Sequence, residues 1–143
     1  MNILLPIIRE TLQTMPLLKR KGDCYITPHE NWMPTGTGQP CIGIKYMGGQ
    51  RSELSCGVIE LAPTIALVGF VRMTADGEAA ICGDAGLSIL LDAASERLLA
   101  AWTQIDGCQG LEIGPDGPTD LYVSENSLGL VKLVRTINIT MQR

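Results

Sequence analysis

The chain predicts an α+β fold: a curved, mostly antiparallel sheet of about four to six strands with two helices packed on it. Three observations carry this. Leu87, Leu90, Leu91, Ala94, Leu98, Ala101, Trp102 and Ile105 recur at helical spacing. The run from Val58 to Met73 is apolar on both alternating faces, which suits a central strand covered on both sides. The long segment Leu128 to Met141 alternates, with Val131, Leu133, Ile137, Ile139 and Met141 on one side and Lys132, Thr136, Asn138 and Thr140 on the other.

Taken in order, residues 2–18 predict the first helix, with Leu4, Ile8, Leu12 and Met15 as its apolar stripe and Pro6 tolerated in the first turn. Lys19-Arg20-Lys21-Gly22 supplies cations and a glycine stop. Residues 23–40 are a Pro- and Gly-punctuated connector, with Tyr25-Ile26-Thr27 as a short strand. Its large apolar residues Trp32 and Met33 either plug the edge of the core or reach a neighbouring subunit. Residues 41–47 predict a strand, and Gly48-Gly49 a tight turn. The chain then returns from Gln50, with Pro63 expected at the start of the next strand or at a bulge, and Gly57 and Gly69 at bends. Residues 74–83 read as a loop, in which Asp76-Gly77 is a turn signal, and Asp84 as the N-cap of the second helix, which ends at Asp106-Gly107. Short strands follow at Leu111–Ile113 and Leu121–Val123, around a turn-rich Gly114–Pro118.

The 143 residues favour one domain spanning 1–143. Such a chain buries about 68–70% of its unfolded surface and needs no metal or disulfide staple. The net charge of −4 and a pI near 4.9 disfavour tight phosphate binding, so no sequence-specific nucleic-acid partner is expected. Aromatic residues are too scarce, at 4%, for base stacking to be the main task. Five widely spaced cysteines, Cys24, Cys41, Cys56, Cys82 and Cys108, form no CxxC pair and read as free, mostly buried thiols of a reducing cytoplasm. The start of the sequence lacks a basic leader pattern, and no apolar run approaches a membrane span, so no membrane partner is expected.

His29 with Glu30 and Asp23 offers a weak metal trio that reads better as a solvated loop. A Cys–His nucleophile involving His29 has no supporting spacing. Gly36-Thr37-Gly38 precedes a strand, so it is no phosphate loop. Gly83-Asp84-Ala85-Gly86 opens a helix, but an Asp84 cap would occupy its amides. Glu53, Glu60 and the Glu96-Arg97 pair read as isolated surface charges. The residues therefore suggest no catalytic centre, metal or cofactor. A small enzyme or ligand-binding domain drawing on Cys56, Cys82, His29 or Asp84 stays as a minor alternative.

The segment order resembles the small tail-terminator and tail-completion proteins of long-tailed phages. The stretches that carry the likeness are Thr27-Pro28-His29-Glu30-Asn31, Pro40 to Tyr46 leading into Gly48-Gly49-Gln50-Arg51, Gly83-Asp84-Ala85-Gly86, and Arg135-Thr136-Ile137-Asn138-Ile139-Thr140. The resemblance implies a non-enzymatic virion protein, made in the host cytoplasm and placed at the tail or neck. It would form a homo-oligomeric ring, commonly a hexamer, that caps the tail tube and meets the tail-tube protein and a neck or connector protein. A head–tail connector or tail-tube subunit is the nearest alternative, and an adaptor of a contractile injection or secretion machine shares the same physics. The hairpin would offer an edge for neighbours to complete. On that reading the candidate interface residues are Trp32, Met33, Ile44, Tyr46, Asp76 and Glu78.

Overall fold

The computed structural model describes residues 3–73, 77–84, 86–122 and 129–142. The chain runs α1 (Leu4–Leu12), β1 (Cys24–Ile26), β2 (Cys41–Glu53), β3 (Ile59–Arg72), α2 (Gly77–Cys82), α3 (Leu87–Ala101), β4 (Cys108–Asp116), β5 (Asp120–Tyr122) and β6 (Leu130–Gln142). The six strands form one sheet in the order β1-β2-β3-β6-β4, with β5 also pairing β6. Among the described pairings only β1–β2 is parallel. The predicted class therefore holds: an α+β fold with a mostly antiparallel six-stranded sheet, on which α1 and α3 pack.

The apolar stripes bury as their spacing demands. Leu4, Ile8 and Leu12 of α1 and Leu87, Leu90, Leu91, Ala94 and Leu98 of α3 join Ile42, Ile44, Ile65, Leu67, Ile137 and Ile139 in one core. Burying side chains of this size contributes about 1.5–3 kcal/mol each. On the opposite face Tyr25, Cys41, Val68, Phe70 and Leu130 form a second cluster, with Met33 and Val134 packed against it. β3 is thus covered on both faces, as its apolar run predicts.

Several boundaries differ from expectation, each for a physical reason. α1 ends at Leu12, because Pro16 has no amide to continue the ladder and disfavours helix at the residue before it. Met15 and Leu18 still bury, held by turns from Met15 N–H to Leu12 and from Leu18 N–H to Met15. α3 gives way at Trp102–Gln104 to a tighter turn, and Ile105 remains buried. Its N-cap is Gly86, so Asp84 does not cap it. A Cβ at Gly86 would lie 2.8 Å from the Ile81 carbonyl oxygen, so this join needs glycine for close approach. Residues 77–82, expected in a loop, form α2, in which Ala80 is buried. The good helix formers Glu78, Ala79 and Ala80 favour it. The chain also continues as β4 through Gly114–Asp116, with an irregularity against β6 where a turn was expected. Val123 and Leu128, expected in strands, lie outside the described residues.

Gly48-Gly49 is no turn. Tyr46 pairs with Ile65 and Gly49 with Pro63, so Met47 and Gly48 together oppose Thr64 in a β-bulge. Gly48 has φ +94°, and a Cβ on Gly49 would lie 2.7 Å from the Ala62 carbonyl oxygen. The two glycines serve this irregularity, and the strands reverse later, around Ser55–Gly57. Pro63 sits at the bulge, one of the two places its missing amide allows. Gly69 marks a close approach, since a Cβ there would touch Leu87 and Leu91 of α3.

Two basic residues on β6 tie its covers down. Lys132, expected on a wet face, is 8% exposed. Its Nζ donates to Asn31 Oδ1 at 2.9 Å and to Glu30 Oε2 at 3.4 Å, pinning the connector across the sheet. Arg135 faces the helix side and donates from Nε and Nη2 to Asp116 at 2.7 and 3.0 Å. From Nη1 it reaches Asp92 at 2.8 Å and Ser95 at 3.1 Å. The Asp116 hydrogen bonds first, then Asp92, outweigh burial and raise the guanidinium pKa. Arg135→Met should cost about 1–2 kcal/mol in urea melts, because its hydrogen bonds are lost while Asp92 and Asp116, 60% and 37% exposed, remain solvated.

Candidate functional site

The described residues expected at an interface separate into three groups, and a sixth expected residue, Asp76, falls outside the described residues. Ile44 is fully buried and flanked by Ile26 on β1 and Leu67 on β3. It also accepts the Thr27 N–H, so it is a core position and presents nothing to a partner. Met33 packs onto the second cluster, and Trp32 stands edge-on to Tyr25 with ring centroids 6.1 Å apart while remaining 45% exposed. Met33 therefore plugs the edge of the core, and Trp32 both plugs it and shows a face. Tyr46 is 42% exposed on β2, and Glu78 is exposed in the first turn of α2.

Around Tyr46 the structure adds exposed apolar side chains to the edge that the hairpin was expected to offer. β1 pairs only with Ile42–Ile44, and among the described residues no strand pairs with the outer edge of β2 beyond them. Residues 49–57 are exposed throughout. Met47 and Leu54 are large apolar side chains left in solvent along this edge and at its turn. Leu54 closes the turn through its N–H to the Val58 carbonyl oxygen at 2.7 Å. The only sequence hint was an isolated leucine among polar neighbours, Glu53-Leu54-Ser55.

At the opposite end of the β2–β3 hairpin lies a cleft of about 790 Å³. Leu17, Val71, Ala80, Ile89 and Leu90 line it, and Lys19, Arg20, Arg72 and Asp84 bring charge to it. Asp23, 1% exposed, shapes one wall: Oδ1 accepts the Gly38 N–H at 3.0 Å and the Arg20 guanidinium at 3.3 Å. Arg20 also donates to the Gly36 carbonyl oxygen. A smaller hollow around Ser95, Gly114 and Arg135 belongs to the ion cluster already described.

The weak metal trio is not assembled. Asp23 is committed to the cleft wall, His29 Nδ1 accepts the Asn31 N–H, and Glu30 pairs with Lys132. No group of three or more metal-binding side chains gathers among the described residues. Of the five thiols, Cys24, Cys41 and Cys108 are buried, and Cys56 and Cys82 are exposed. Burial raises the pKa of Cys24 and of Cys41 from 9.0 to about 12, and it raises that of Cys108 also. Arg9 offsets part of the rise at Cys24, and the Tyr25 hydroxyl part of that at Cys41.

No protein-family model matches the chain, and no curated protein matches it. No helix among the described residues is long and apolar enough to cross a membrane.

Proposed function

We propose that the protein is a ring-forming structural subunit at the head-proximal end of a phage tail tube, a tail terminator or tail-completion protein joining tail to neck. One observation carries the reading. Among the described residues no strand pairs with the outer edge of the far half of β2, which exposes Tyr46 and Met47 and leads to an exposed Leu54 at the turn. Natural sheets guard such edges or use them, and exposed aromatic and Met side chains are what subunit interfaces bury. The segment order supplies the resemblance to tail proteins, and the net charge of −4 suits a ring through which DNA passes without sticking.

Native mass spectrometry with negative-stain imaging tests it. The expected result is a closed ring of uniform copy number that decorates the ends of isolated tail tubes. A particle that stays single at micromolar concentration and leaves tubes bare would overturn the proposal.

A further inference from the structure

We infer that copies of this chain join head to tail, the β2–β3 turn of one seated in the cleft of the next. This rests on the ring reading and names the contact that would build the ring. Leu54 at the turn and Ile89 in the cleft are 40% and 42% exposed, each a large apolar group left partly in solvent. The cleft falls in the size range that accepts a compact ligand, roughly 300–1,000 Å³, and the end of a tight turn is of that scale. Charge agrees in sign: Lys19, Arg20 and Arg72 outnumber Asp23 and Asp84 around the cleft, with Arg20 paired to Asp23, whereas Glu53 and Glu60 outnumber Arg51 near the turn.

Placement puts the contact between copies. The cleft adjoins Pro40 and Val71–Arg72, where β2 starts and β3 ends, and the turn joins their other ends. A strand of 13 residues spans about 40 Å, so the turn cannot fold back into its own cleft. The contact is therefore between two copies. Passed on in one direction, turn into the next cleft, it is heterologous and closes into a ring where the rotation permits. A reciprocal exchange would stop at two, so a cross-linked ladder that ends at the dimer would overturn head-to-tail joining.

The two exposed cysteines report on it directly. Cys56 lies in the turn, and Cys82 on α2, whose Ala79 and Ala80 line the cleft. A short bismaleimide should link Cys56 of one copy to Cys82 of another and build a ladder beyond two. Leu54→Asp and Ile89→Asp alter exposed side chains, and circular dichroism should show both folded. Each alone should raise the concentration for half-association about thirtyfold. Mixed together they should form dimers that grow no further, because only one intact turn meets one intact cleft.

Persistence of the wild-type oligomer in both variants, with no Cys56–Cys82 link, overturns this contact and leaves the ring reading standing. A wild-type chain that is monomeric throughout overturns both.

Discussion

Ile44→Pro should leave the chain largely unfolded, whereas Ile44→Val should cost only about 1 kcal/mol. Ile44 is fully buried, and its backbone lies between β1 and β3. Proline removes an amide from a central strand and fixes φ, a cost of about 3 kcal/mol or more. Loss of apolar contact in a close-packed core adds about 2 kcal/mol. Together these approach the whole stability of an ordinary domain, about 5–15 kcal/mol. Far-ultraviolet circular dichroism and urea titration check the result. A soluble, cooperatively folding Ile44→Pro chain would mean that the register of β2 is wrong.

Raising the pH from 8 to 10 should remove about 3 kcal/mol of stability through Cys24 and Cys41 together. Both thiols are buried and titrate at about 12 when folded, against 9.0 in the open chain. Above pH 9 the unfolded chain sheds two protons that the folded one keeps. The stabilisation is therefore whole below 9 and drains away as the pH climbs toward 12. Other groups also ionise in this range, so the decisive measurement is a difference. A Cys24→Ala, Cys41→Ala double variant, though less stable at pH 8, should show a flatter decline between 8 and 10. An unchanged slope would assign the alkaline loss elsewhere.

Periodicity carried much of the fold. The stripe from Leu87 to Leu98 and the two-faced run of β3 each imply one geometry and one set of covers, and both are realised. Gly48-Gly49 misleads because a glycine pair permits either a tight turn or the positive φ and close approach of a bulge. The choice between them depends on Pro63 in the partner strand. Alternation on β6 located the two faces, yet it could not reveal that Asn31 and Glu30 cover Lys132 from 101 and 102 residues away in the chain. The cleft was illegible for a similar reason. Leu17, Pro40, Arg72, Ala80 and Ile89 come from separate elements and converge only when the sheet closes.

The strand order has a consequence for the path by which the native state is reached. β2 and β3 are sequence neighbours and can zip together once their short turn forms. β3 and β6 are not: Arg72 meets Leu130, and Glu60 meets Gln142, closures of 58 and 82 residues. Among the described residues β4 and β5 pair in the sheet only with β6, so their ladders cannot form beforehand. Closing so long a loop sacrifices chain entropy before any contact repays it, which makes arrival of β6 the slow step. A nascent chain waiting for that step holds its most apolar strand open on one side, and its yield in the cell should depend on chaperones far more than that of a helical protein of equal length.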